Sequence, residues 1–154
     1  MIKGVAEVYT DAACRKKDNS PTGLSAIAFV IKDSTDYIVH RYSEFIGKTT
    51  NNVAEYVAII KALEYIKSRL EAKDPISHIS MYSDSQLVVN QVKGTFQINY
   101  KHLQDLRDRI YELLQQMKQL DMNVKITFTQ VTRWENLIVV ADSLANKCLD
   151  KHKE

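Results

Sequence analysis

The apolar residues change their spacing near residue 50, and that change limits the kinds of fold open to this chain. Before it lie three short runs rich in β-branched and aromatic residues: 4–10 (GVAEVYT), 24–32 (LSAIAFVIK) and 36–46 (DYIVHRYSEFI). Such residues suit a pleated, half-buried surface, so each run predicts a strand. The connections are short and polar, one with Asp18, Asn19, Pro21 and Gly23, the other with Lys32, Asp33 and Ser34. Connections that short favour antiparallel neighbours. After residue 50, Tyr56, Ile59, Leu63, Ile66 and Leu70 recur at intervals of three and four, which is one face of a helix. Asn52 followed by Glu55 resembles a capping box and puts the helix start at residue 51 or 52. Asp74-Pro75 ends the segment.

Residues 76–82 (ISHISMY) predict a fourth strand, with helices on both sides and therefore parallel to a neighbour. Residues 83–86 open a short helix that reaches Gln91, and 92–99 form a connector. Leu103, Leu106, Ile110, Leu113, Met117 and Leu120 give a second long helical stripe. Residues 123–130 predict a fifth strand, 131–137 a loop and 138–150 a last helix. The order is βββ-α-β-α-α-β-α. It implies an α/β fold with a mixed five-stranded sheet, three strands antiparallel and two parallel, flanked by helices.

At 154 residues this is the length of a single domain, expected over 1–150, with 151–154 as a polar tail. Hydrophobic residues make up 45% and charged residues 26%, which excludes intrinsic disorder. No apolar run approaches the roughly 18–20 residues of a membrane span. Residues 1–14 show no secretory h-region, and two cysteines make no disulfide framework. A reduced, cytoplasmic compartment is therefore expected. The net charge of +2 permits nucleic-acid binding without arguing for it.

Among 19 acidic residues, four stand out by position. Asp11 ends the first strand, Glu55 lies in the first turn of the first helix, Asp84 follows the fourth strand, and Asp142 lies in the last helix. Strand ends beside helix starts are where α/β sheets carry their sites. Each acid alone has an ordinary reading: a turn residue, a cap or a solvated helix face. Together they suit a site for two divalent ions, roughly 3.5–4 Å apart, that stabilises both oxygens of an in-line phosphoryl displacement. Without metal, converging carboxylates would raise one another's pKa.

The segments YTDAAC, TTNNVAEYVAIIKALE, YSDSQLVVNQV and VADSLAN, in this order and on this pattern of strands and helices, resemble type 1 ribonuclease H from about Val5 to Leu149. The match is to an archaeal-like form without a basic protrusion or a hybrid-binding domain. The resemblance implies cleavage of the RNA strand of an RNA/DNA hybrid with two Mg²⁺ ions, or with Mn²⁺, leaving 3′-hydroxyl and 5′-phosphate ends. It implies a monomer. It makes Asp11, Glu55, Asp84 and Asp142 the catalytic metal ligands, with Asp11 shared between the ions. It assigns Asn51, Asn52 and Gln86 to the RNA strand in the minor groove, where the 2′-hydroxyl lies, and Thr50 to a DNA-strand phosphate.

The chain also departs from the family. Ala12 stands where Asp-Gly is usual, and VTRWENLIVVAD lacks the loop histidine of many members, for which Glu135 is a partial substitute. The spacing from Asn136 to Asp142 is six against four in the family pattern, an apparent two-residue insertion. Trp134, the only tryptophan, is expected to be partly buried by packing over the insertion, with a substrate contact as the alternative. Lys93, Lys101, Phe96 and Tyr100, and separately Arg15-Lys16-Lys17, offer phosphate or sugar contacts. Cys14 reads as a free thiol near the site. A non-catalytic nucleic-acid-binding module and a nuclease of broader duplex specificity remain as alternatives.

Overall fold

A computed structural model describes residues 1–152. Its elements are β1 (Gly4–Lys16), β2 (Gly23–Lys32), β3 (Ile38–Thr49), α1 (Asn51–Glu71), β4 (Ile76–Ser83), α2 (Gln86–Val92), α3 (Lys101–Leu120), β5 (Lys125–Gln130) and α4 (Asn136–Asp150). They form one sheet in the order β3-β2-β1-β4-β5. The pairs β1–β2 and β2–β3 are antiparallel, and β1–β4 and β4–β5 are parallel. The expected topology is therefore present.

Side chains alternate across a strand, so the sheet presents two apolar faces. Ala6 and Val8 of β1 and Phe29 and Ile31 of β2 face a core with Tyr56, Ile59, Leu63 and Ile66 of α1 and Ile110, Leu113 and Met117 of α3. Ala13 of β1 and Ala26, Ala28 and Val30 of β2 face Ala141, Ala145 and Leu149 of α4. Small residues on that second face let α4 lie close to the sheet.

β1 is longer than the apolar run 4–10. Its pairing with β2 continues from Glu7↔Lys32 to Lys16↔Gly23. A Cβ at Gly23 would collide with the Arg15 carbonyl, so this hairpin end requires glycine. Asp11 consequently lies inside β1 rather than at its end. The parallel pairing with β4, however, stops at Tyr9↔Tyr82. Asp11 thus stands just beyond the point where β4 parts from β1, and a strand-end position is recovered in a different form.

The start of α1 also differs from expectation. Thr50 is its N-cap, and Thr50 Oγ1 accepts from the Val53 N–H at 3.2 Å. The Asn52–Glu55 capping box does not form, because Glu55 is turned inward and is 4% exposed. At the other end, Lys73 takes φ 68° and the Asp74 N–H donates to Arg69 O. Asp74 is buried and accepts from Arg69 Nε at 2.8 Å, Arg69 Nη2 at 3.0 Å and the Ile2 N–H at 2.8 Å. It ties the N-terminus to the α1–β4 turn. In the expected tail, Lys151 closes α4 and His152 stacks on Phe45 with ring centroids 4.2 Å apart. The rest of that tail lies outside the described residues.

Candidate active site

Three elements bring carboxylates together. Asp11 comes from β1, Glu55 from the second turn of α1, and Asp84 from the link between β4 and α2. An oxygen from each lies within 4.8 Å of the others. Ser85, not Ser83 or Asp84, caps α2, and its Oγ accepts from the Val88 N–H at 3.3 Å. The Asp84 carboxylate is therefore left to the cleft. Asp142, on the second turn of α4, lines the same cleft but stands outside the tight group of three. It is exposed and accepts from Asn146 Nδ2 at 3.2 Å.

The electrostatics follow from burial. Asp11 is 5% exposed, and its pKa is pushed up to about 8, first by burial and then by the Asp84 charge. The Ala12 N–H, which donates to Asp11 Oδ1 at 2.9 Å, opposes that rise. Glu55 is raised well above the ordinary range by burial and by the charges of Asp11, Asp84 and Asp142. Asp84 is raised by burial and by Asp142, with Arg133 pulling the other way. Glu55 Oε2 is buried without a hydrogen-bond partner. Like charges this close, with an unpartnered acceptor among them, fit a divalent cation: hard cations take carboxylate oxygens and neutralise the repulsion.

The cleft has a volume of about 600 Å³. Asn51, Ala12, Ser85, Arg133, Trp134 and Val139 line it beside the four acids. Of the amides singled out in the sequence, Asn51 is brought to the acids, whereas Asn52 and Gln86 are not part of the lining. Asn52 is half-buried and Gln86 exposed. Thr50 spends its oxygen on the α1 cap, as described. Glu135 also stands outside the lining, and its charge acts on the Tyr9 hydroxyl. Trp134 corrects an expectation: it is 71% exposed, with the Arg133 guanidinium 4.6 Å from the ring centroid. Arg133 itself was not singled out; a cation just before the acid-bearing helix was the available signal.

A family model described as reverse transcriptase-like matches residues 10–148. Ribonuclease HI of Halobacterium salinarum is 35% identical over 147 residues, covering 96% of this chain and 65% of that protein. The crystal structure of RNase H1 from the same archaeon superposes with a TM-score of 0.79 at 32% identity, covering 96% of this chain and 98% of that one. The chain belongs to the ribonuclease H family. A structure of LC11-RNase H1 in complex with an RNA/DNA hybrid is also similar, with a TM-score of 0.80 at 29% identity and coverage of 96% and 98%. The chain spans about two thirds of the curated Halobacterium relative, and 32% of a 29%-identical bifunctional protein of Mycobacterium tuberculosis.

Two departures from the ribonuclease H pattern resolve in the structure. Ala12 pairs with Ile27 in regular strand and is not among the positive-φ residues, so glycine is not required there. The apparent insertion before Asp142 is absorbed into α4, which starts at Asn136 and still carries Asp142 to the cleft. No histidine among the described residues lines the cleft. His40 stacks on Tyr65, and His78 lies 3.5 Å from Thr127. Cys14 is a free thiol whose Sγ lies 3.4 Å from Thr49 O. In the connector, Phe96 and Tyr100 are exposed, while Lys101 is paired with Asp105. Arg15, Lys16, Lys17 and Lys48 border a second hollow of about 330 Å³, with Arg15 also paired to Asp150 at 2.8 Å.

Proposed function

We propose that this chain is a metal-dependent endoribonuclease that hydrolyses the RNA strand of RNA/DNA hybrids, leaving 3′-hydroxyl and 5′-phosphate ends. The observation that carries this reading is the group of Asp11, Glu55 and Asp84 within 4.8 Å, around a buried carboxylate oxygen without a partner. A non-catalytic binding module would have no use for so costly a group.

When bound, two divalent ions, Mg²⁺ or alternatively Mn²⁺, would activate a water and stabilise the leaving oxygen. Asp11 would be the ligand shared by both. Glu55 and Asp84 would complete one position, and Asp142, at the cleft mouth, would serve the other. Asn51 reaches the cleft and would contact the RNA strand, with Asn52 and Gln86 beside it along the minor groove, where the 2′-hydroxyl separates RNA from DNA. The Thr50 hydroxyl, while accepting from Val53, still has a proton to donate to a DNA-strand phosphate. Glu135 has no role in this account. The reading takes residues 1–150 as one domain, which one continuous sheet from β3 to β5 supports, and takes that domain to act as a cytoplasmic monomer.

The test is cleavage of an end-labelled RNA/DNA hybrid with Mg²⁺ and then Mn²⁺, beside single-stranded RNA, duplex RNA and duplex DNA. Cuts confined to the RNA of the hybrid, with 3′-hydroxyl ends, are expected. Equal cutting of duplex RNA would establish the broader duplex specificity, since an A-form minor groove presents similar contacts. Binding without any cut, with either metal, would overturn the nuclease reading in favour of a binding module.

A further inference from the structure

We propose that Trp134 is a substrate-positioning residue whose indole lies flat against a nucleotide of the strand held over Asp11, Glu55 and Asp84. The inference rests on the hybrid-cleavage reading above and adds a contact to it. Trp134 is the only tryptophan of the chain, yet it is left 71% exposed at the lip of the acidic cleft. A side chain of that size in the core would bury a large apolar area, so its place at the surface is not explained by packing. Val139, 45% exposed and also in the lining, extends the same lip. One wall of the cleft is thus apolar and aromatic, while its floor is acidic.

The indole has a cation beside it. The Arg133 guanidinium lies 4.6 Å from its ring centroid, a cation–π distance. The loop is anchored to the strand that leads to Asp84, because the Val131 N–H donates to Ser83 O at 2.9 Å. The Glu135 N–H donates to Thr132 O at 3.1 Å and closes the turn. The backbone that carries the ring is therefore tied to the strand that leads to Asp84. A rigid aromatic beside a cation suits a polyanion with flat, weakly polar faces, which describes a nucleic-acid strand. A protein partner is less suited, because it would have to cover the same acids that the substrate needs.

The lone tryptophan is also the probe. Its emission is measured while unlabelled RNA/DNA hybrid is added to the full chain with Ca²⁺ in place of Mg²⁺. Anisotropy of a labelled hybrid reports binding in a separate titration. Steady-state cleavage with Mg²⁺ compares the chain with Trp134→Ala and Trp134→Phe. The emission should change with the same midpoint as the anisotropy. Trp134→Ala should raise KM about five- to tenfold, in line with the loss of one aromatic stacking contact. Its kcat should stay within about twofold, its melting temperature should be unchanged, and Trp134→Phe should recover most of the loss. Binding with unchanged emission, a wild-type KM in Trp134→Ala, or a lowered melting temperature would each overturn this contact while leaving the nuclease reading intact. Absence of both hybrid binding and cleavage by the wild-type chain would overturn both.

Discussion

Replacing Glu55 by glutamine should stabilise the metal-free protein while disabling it. Glu55 is 4% exposed, its Oε2 has no partner, and its carboxyl is held well above 4.5 by burial and by the charges of Asp11, Asp84 and Asp142. The unfolded chain releases this proton near pH 4.5; the folded one must keep it or bury a charge. For every pH unit above 4.5, up to the folded pKa, that mismatch costs about 1.36 kcal/mol. The ceiling at pH 7 is therefore about 3.4 kcal/mol. Coulomb repulsion sets a similar scale: two charges 4.8 Å apart repel by about 3.5 kcal/mol at an effective dielectric constant of 20. Glutamine is nearly isosteric, carries no charge, and offers amide protons to the Asp11 and Asp84 carboxylates. A gain of about 2–3 kcal/mol at pH 7 is expected, or roughly 4–12 °C in melting temperature for a domain of this size.

The sign with pH is fixed by the raised pKa. The wild-type disadvantage is absent near pH 4.5 and grows as pH rises. The assay is thermal unfolding followed by circular dichroism in EDTA at pH 5 and pH 7, repeated with Mg²⁺. Mg²⁺ should raise the wild-type melting temperature by mass action and barely move Glu55→Gln. If Glu55→Gln were less stable than wild type in EDTA at pH 7, or if the difference were the same at both pH values, Glu55 would be a structural hydrogen-bonding residue and not a carboxyl that burial destabilises.

Other consequences can be checked with the same equipment. Thr50→Ala removes the α1 cap and should cost about 1 kcal/mol, a fall of roughly 2–4 °C, whereas Thr50→Ser should retain most of it. Asp74→Ala leaves the Ile2 N–H and the Arg69 guanidinium without their shared acceptor. It should cost about 2–3 kcal/mol, read as a lower urea midpoint. The Asp74 pKa is lowered, chiefly by the Arg69 hydrogen bond, so its contribution is present above the unfolded value of 3.8 and lost as pH falls below it. The wild-type protein in EDTA should accordingly weaken in two directions: below about pH 4 through Asp74, and from pH 4 toward pH 8 through the raised Asp11 and Glu55. A flat pH profile of melting temperature in EDTA would contradict the last of these.

The long elements were legible because their apolar periods are strong. The stripe from Tyr56 to Leu70 and that from Leu103 to Met117 are the core faces of α1 and α3. The antiparallel and parallel pairings followed from short polar turns early in the chain and helices between the later strands, whereas the order of the strands across the sheet did not. Boundaries failed where the sequence is polar or small. The segment DAACRK continues β1 only because β2 pairs with it as far as Gly23, a tertiary reason that no local propensity carries.

The site was legible through its acids, since three carboxylates from separate segments have few structural uses at one place. Their relative distances were not legible. The capping-box pattern misled because Asn52 and Glu55 have the right spacing, but burial of Glu55 among other acids overrides its capping chemistry. Trp134 misled because tryptophan is usually buried, whereas here the loop turns it outward onto Arg133. Asp142 keeps its place in spite of the longer spacing because α4 begins at Asn136 and takes up the difference as helix.

The measurement that tests the central claim most directly is the rate of RNA-strand cleavage in an RNA/DNA hybrid as a function of Mg²⁺, for the wild-type chain and for Asp84→Asn. Asp84 is half-buried at the cleft and outside the apolar core, so the variant should fold and melt like wild type. The account predicts Mg²⁺-dependent cleavage by the wild-type chain and a loss of at least about a hundredfold in the variant. Full cleavage by a folded Asp84→Asn variant would contradict it.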